Sequence, residues 1–330
     1  MKRPTRTIAM MNQKGGVGKT TTTVNLAAAF ARSGRPTLVI DLDPQAHASL
    51  HVGVDTSEIQ GPTVYDVLLS DEISPADAVR QVGENLYLMP STTDLAAAET
   101  ELAIVENRQR RLEKAIASFD DKFEFVLIDC PPSLGLLTIN ALTAAREVII
   151  PMQAHFLALQ GVGKLLDTVG LVSKAVNPRL RVTGVVLCMH DTSSSHTKEV
   201  VADMESFFEE ARKAESPWKF ARVLRPAIRR NIKLAECPSF GKTIFEYAPL
   251  APGSEDYAAL GAVLLREWDA MLAKRSGASG GVAEAKPEIV VTAKTVSEGD
   301  GASGENGGTG GVGGAGGEVG MGAESEKVAG

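Results

Sequence analysis

Cysteine is scarce in this chain of 330 residues. Cys130, Cys188 and Cys237 make an odd number at wide spacing, with no CxxC pair. That argues against a zinc site or a redox couple, and the expectation is small buried thiols in a reducing compartment. Long apolar runs are missing too. No stretch approaches the ~18 apolar residues of a membrane span. The run Ile8–Met11 behind Lys2, Arg3 and Arg6 is far shorter than the roughly 7–15 residues of a signal h-region. A soluble, cytoplasmic protein without a membrane partner is the expectation. Nor is there an excess of positive charge: the formal net charge is −7 and the pI about 5.4. A globally basic nucleic-acid binder is excluded, while a local basic patch is not. No internal repeat is present.

What is there divides in two. Hydrophobic residues make up 44% of the chain, enough for a large core. From Ser276 to Gly330 the composition changes: 17 of the 32 glycines fall there, with eight acidic residues, three lysines and no aromatic. Such a segment cannot bury enough apolar surface to offset chain entropy, so residues 276–330 read as a disordered acidic tail after a domain of residues 1–275. The apolar patch Ile289–Val291 is its one candidate docking peptide.

Residues 1–275 alternate strand and helix patterns. Short apolar strands are expected at Thr7–Met11, Thr37–Asp41, Leu86–Met89, Phe123–Asp129, Glu147–Pro151 and Val182–Leu187. Helices are expected at Lys19–Arg32, Leu95–Ser118 and Ser254–Lys274. Buried Val, Ile and Leu runs between helices imply an α/β fold, a doubly wound and mostly parallel sheet with helices on both faces. Ligands of such sheets bind at the carboxyl ends of the strands.

One strand runs into NQKGGVGKTTT, residues 12–22. Gly18-Lys19-Thr20 match the second half of a Walker A loop, G-x-x-x-x-G-K-[ST]. The first glycine would fall at Gln13, and Lys14, Gly15 and Gly16 stand in its place, so the loop is of a deviant kind. Glycines let successive backbone N–H groups turn onto phosphate oxygens, and the following helix adds its N-terminal dipole. Gly15, Gly16, Val17, Gly18, Lys19, Thr20 and Thr21 are therefore candidate ATP contacts. Lys19 would reach the β- and γ-phosphates, and the Thr20 hydroxyl would ligate Mg²⁺. Lys14 is either a solvated surface lysine or a lysine acting in trans on a partner's phosphates; spacing leaves both open.

Two strands end on acids. Asp129, in DCPP, fits a Walker B acid holding Mg²⁺ through water. Asp41, ending its strand likewise, joins Thr20 and Asp129 as a candidate metal ligand. Hydrolysis also needs a group to orient the attacking water, and either Asp41 or Asp43 of DLDPQ could supply it.

Five blocks, NQKGGVGKTTTTVNLAAAFA, LVIDLDPQAHAS, FVLIDCPPSLGLLTINAL, PMQAHFLALQGVGKLL and IRRNIKLAECPSFGK, together resemble the ParA/Soj partition ATPases over roughly residues 5–270. The first three are shared with the wider deviant Walker ATPases, MinD and the nitrogenase iron protein among them. The resemblance implies an ATP-dependent sandwich homodimer in which Lys14 crosses to the partner's ATP, Asp43 orients water and Asp129 is the Walker B acid. It implies an adenine contact near Asn231, sequence-independent DNA binding by the dimer on the nucleoid, and a ParB-type partner that stimulates an otherwise slow hydrolysis and releases the dimer. Departures from the family pattern are Arg229 in place of a proline, Ser193 where an arginine often lies, and His155 and Gln160 in place of acids.

Arg222, Arg225, Arg229, Arg230 and Lys233 cluster within twelve residues of a nearly neutral domain. Such residues give sequence-independent phosphate contacts. Of them, Arg225, Arg229, Arg230 and Lys233 are the candidate DNA contacts, the last also by family analogy; Pro226 requires a loop followed by a short helix. Rival readings are a ParA-like ATPase that positions a protein cluster or other cargo, a MinD-type membrane-positioning ATPase, and an ATP-dependent metabolic ligase.

Overall fold

In chain order the strands are β1 (Arg6–Met10), β2 (Thr37–Asp41), β3 (Arg80–Gly83), β4 (Leu86–Met89), β5 (Phe125–Asp129), β6 (Glu147–Met152), β7 (Arg181–Leu187) and β8 (Arg222–Leu224). They form one sheet in the order β3-β4-β2-β5-β1-β6-β7-β8. Every neighbouring pair is parallel except β3 with β4. The computed structural model describes residues 4–119, 121–155, 158–191 and 193–277, without the side chains of Ala158, Leu159 and His196. The tail reading for 276–330, with its Ile289–Val291 patch, falls outside the described residues from 278 onward.

The helices are α1 (Lys19–Arg32), α2 (His47–His51), α3 (Val64–Leu69), α4 (Leu95–Glu101), α5 (Arg111–Ala117), α6 (Leu136–Ala144), α7 (Ala158–Ala175), α8 (Ser195–Ala211), α9 (Ile232–Glu236), α10 (Ile244–Tyr247) and α11 (Pro252–Arg275). Among the described residues, no helix is long and apolar enough to cross a membrane.

Side chains alternate across a strand, so each strand feeds two cores. Ile8, Met10, Val39, Phe125, Leu127 and Ile149 pack with α1, α10 and α11. Ala9, Leu38, Ile40, Val126, Ile128, Val148 and Ile150 pack with α3 to α8. Helices therefore cover both faces, as the apolar runs require. The α1–α11 contact is close: a Cβ on Gly261 would lie 2.8 Å from the Ala29 Cβ.

The sequence pattern misplaces one element. A single helix over Leu95–Ser118 does not form. Instead α4 ends at Glu101, and 3₁₀ turns at Leu102–Ile104 and Arg108–Arg110 flank Asn107, which is left-handed at φ 54°. Asn140 of α6 fixes the break by accepting from the Leu112 amide and donating to the Arg108 carbonyl. Polar residues spaced evenly through the segment hide this interruption. Two short edge strands, β3 and β8, are also invisible in the pattern.

Candidate nucleotide site and basic strip

The register of the sheet assembles the site. Met10 pairs with Asp129, and Asp129 pairs with Asp41, so the end of β1 and both strand-terminal acids sit side by side at the carboxyl edge. The loop leaves β1 there and enters α1 at Lys19. Gly16 and Gly18 take φ of 71° and 93°, conformations open to glycine. Gly18 is needed twice over, because a Cβ there would also meet Cys188 Cβ and Sγ at 3.2 Å. At Gly15 and Gly16 a Cβ would meet nothing within 4 Å, which leaves an open cradle above the loop.

Asp129 is fully buried and accepts from the Thr20 hydroxyl at 2.7 Å and the Thr23 hydroxyl at 2.8 Å. Burial pushes its carboxyl up to about 6, opposed by those two hydroxyls and by the charge of Lys19. Asp41 is equally buried, and its carboxyl rises to about 7 through burial and the neighbouring Asp129. Its oxygens accept from the amides of Asp43 and Ser49 and from the Ser49 hydroxyl. Asp41 thus holds the Asp43–Ser49 turn in place. Asp43 accepts from the Gln45 amide at 3.0 Å, with 9% exposure, and stands close enough to raise Asp129.

These residues fit ATP and Mg²⁺. Mg²⁺ takes one or two carboxylates, substrate phosphates and water rather than an all-protein cage. Thr20 and Asp129 already meet at hydrogen-bond distance, and among the described residues no group of three or more His, Cys, Asp or Glu forms a cage. When bound, the ion would supply charge neutralisation at the phosphates. Lys19, 8% exposed at the first position of α1, would supply a second positive charge. Thr21 follows on the first turn of the helix.

Lys14 lies outside this cluster. It is exposed, its amide donates to Asn12 Oδ1, and its Nζ lies 2.8 Å from His155 Nε2. His155 follows β6, the strand beside β1. Burial, helped by the charge of Lys14, holds the imidazole below its ordinary range.

Residues that motif reading missed support the loop from below. Thr23 is the second donor to Asp129, one helical turn after Lys19 within the run of threonines. Thr22 bonds Tyr257 of α11 at 3.0 Å and touches Cys188 Sγ at 3.4 Å. Ser49, eight residues from Asp41, follows no spacing rule. All three cysteines are free and buried, as composition suggested.

The basic residues occupy the edge strand β8, the loop after it and α9. Arg222 begins β8 and pairs with Glu267 of α11, at the opposite end of the strand from the others. Arg225, exposed, pairs with Glu205 of α8 at 2.8 Å. Arg229 is held by Asp256 and Glu255, and through Nη2 by the Pro252 carbonyl, so it anchors the start of α11. Lys233 pairs with Glu236 at 2.8 Å, and Tyr247 donates to the same carboxylate oxygen. Arg230 is exposed and forms no ion pair among the described residues. The Asn231 carboxamide caps α9 by accepting from the Lys233 amide. Residues 228–231 run beside the end of β7, bringing Asn231 and Lys233 to the carboxyl edge. Ser193 is tied into a turn by Asp191, and Lys198 lies exposed on α8.

The domain family described as "AAA domain" matches residues 5–182. Over 263 residues the chain is 41% identical to the Chromosome partitioning protein ParA of Myxococcus xanthus, covering 79% of this chain and 88% of that one. It is also 41% identical to the Sporulation initiation inhibitor protein Soj of Bacillus subtilis, over 76% of this chain and 94% of the relative. Among solved structures, a cobyrinic acid a,c-diamide synthase from Mycobacterium smegmatis, known with ADP and magnesium and with an ATP analogue and magnesium, is 36% identical. It superposes with a TM-score of 0.68 over 81% of this chain and 97% of its own.

Proposed function

The chain belongs to the ParA/Soj family of partition ATPases, and on that footing we propose that ATP joins two copies of its 1–275 domain into a dimer that rides nucleoid DNA. The cofactors are ATP and Mg²⁺, held by the loop, Thr20 and Asp129. A ParB-type protein stimulates a hydrolysis that is slow on its own, and hydrolysis releases the dimer from DNA. Repeating the cycle moves the cargo.

The observation that carries this reading is Lys14. A lysine at the mouth of a phosphate loop, exposed and with its Nζ 2.8 Å from His155, supports a role on a neighbour's phosphates. Added in trans, its positive charge acts where charge develops on the transferred phosphoryl group, as an arginine finger does. Asp43, beside Asp129 on a turn braced by Asp41, would orient the attacking water.

The test is binding to random-sequence duplex DNA with ADP and with ATP, at low and raised salt, beside a Lys233→Glu variant. Binding that requires ATP and is removed by salt or by the substitution is the expected result. ATP binding with no DNA binding under any condition would overturn the DNA-riding role and leave a protein-positioning ATPase.

A further inference from the structure

The candidate strip at the carboxyl edge is electrically balanced. Arg225, Arg229, Arg230 and Lys233 supply its positive charge, and Glu205, Glu255, Asp256 and Glu236 bond to three of those four. The carboxylates come from three different helices, α8, α9 and α11. Sequence-independent binding to nucleic acid depends on unneutralised positive charge, and this strip presents little.

The pairs are of two kinds. Arg229 shares a bidentate geometry with Asp256, whose side chain is 8% exposed, and its own backbone amide donates to the same carboxylate. That pair builds the fold. Arg225–Glu205 and Lys233–Glu236 are single contacts between half-exposed side chains. Exposed pairs of this kind are weak and open easily. Glu236 holds Lys233 where it lies: it accepts from Tyr247 as well, and the ammonium sits 5.7 Å from the centre of the Tyr247 ring. A phosphate oxygen offers Arg225 or Lys233 the same charge-assisted hydrogen bond that the carboxylate gives. Exchange therefore conserves bonds, and the displaced carboxylate, left beside the phosphate, opposes it.

We propose that Glu205 and Glu236 are built-in competitors of DNA phosphate, occupying Arg225 and Lys233 in the free protein and setting its affinity for nucleic acid low. The inference rests on the DNA-riding role proposed for the dimer. It makes weak binding by a single protomer a designed property of the strip, so that binding depends on two strips acting together in the ATP dimer. Linked sites gain avidity in this way when each alone is weak.

The test uses the full chain with Mg²⁺-ATP and a fluorescent random-sequence duplex at low salt. A Glu205→Gln/Glu236→Gln double variant keeps hydrogen bonding and removes both charges. Its dissociation constant should fall about three- to tenfold, the scale set by two exposed pairs, and detectable binding should appear with ADP. A Glu58→Gln/Glu72→Gln variant changes net charge equally at exposed positions outside the strip and should shift less than about twofold. In a Lys233→Gln background, the gain from Glu236→Gln should shrink, because its partner is gone. Equal shifts in both double variants, or no shift while the wild type binds, would overturn the competitor role. If neither wild type nor variant binds DNA in any nucleotide state, the partition reading itself falls, and this inference with it.

Discussion

The phosphate loop and the basic strip lie at the same sheet edge and are built in opposite ways. The loop's groups come from strand ends fixed in register and from the start of α1, are mostly buried, and converge on Asp129. The strip's groups sit on an edge made of loop, short strand and short helix, are mostly exposed, and all but Arg230 are ion-paired among the described residues. Buried groups in fixed geometry let single residues carry large effects, because an unsatisfied partner there is costly. Exposed pairs divide small effects among many residues. Catalysis should therefore break at one residue, and DNA binding should weaken by degrees.

The sharpest way to break that contrast is Asp43→Ala. If Asp43 orients water, ATP turnover should fall by about 10²- to 10⁴-fold, the range for a positioned proton-transfer group, while the ATP dissociation constant moves only a few-fold. Phosphate release and nucleotide titration read the two separately. Turnover left unchanged would pass the role to another group and remove the claim that the loop's chemistry hangs on single residues. A smaller effect, on the strip alone, is expected from Gly184→Ala. A Cβ at Gly184 would lie 2.0 Å from the Arg222 carbonyl oxygen, a backbone atom that cannot swing aside. Overpacking against β8 should destabilise the protein by about 1–3 kcal/mol. β8 leads into the strip, so DNA affinity should drop while ATP affinity holds. Parallel loss of both would show that the two regions do not separate.

The same contrast explains how far the sequence could be read. The loop is legible because its parts are local: eleven consecutive residues, and strands whose last residue is an acid. The expected strand Thr37–Asp41 and helix Lys19–Arg32 coincide with β2 and α1. The brace between Ser49 and Asp41 was not legible, because it is made through the fold of a turn and no spacing announces it. The strip's basic residues stand out in sequence, yet their partners lie 3 to 45 residues away, most of them on other helices. Arg229 illustrates the limit: as a residue it looks like a phosphate contact, and in the fold it anchors α11. The broken helix after Leu95 failed for the same reason, since the side chain that stops it, Asn140, comes from α6.

The finest test concerns α2, which joins the two regions. At one end Ser49 bonds Asp41. At the other, His51 Nε2 lies 3.5 Å from Cys237 Sγ in the turn after α9, and Gly53 packs on Gly241 so closely that a Cβ on Gly241 would meet the Gly53 Cα at 2.6 Å. His51 is 1% exposed, and burial lowers its pKa from 6.5 to about 4. The folded protein then keeps it neutral while the unfolded chain takes up a proton near pH 6.5. Stability contributed by neutral His51 is present above that pH and is lost as the pH falls towards 4, with a slope of at most about 1.4 kcal/mol per pH unit. The raised carboxyls of Asp41 and Asp129 act with the opposite sign, favouring the folded state as pH falls. Absolute slopes therefore mix terms, and the difference between wild type and His51→Gln isolates one. Urea midpoints at pH 7, 6 and 5 should fall more steeply in the wild type than in the variant. Parallel lines would mean that His51 does not stay neutral when folded. The contact between α2 and the turn after α9 would then take up protons in the folded chain as readily as in the unfolded one, and packing alone would join the two regions.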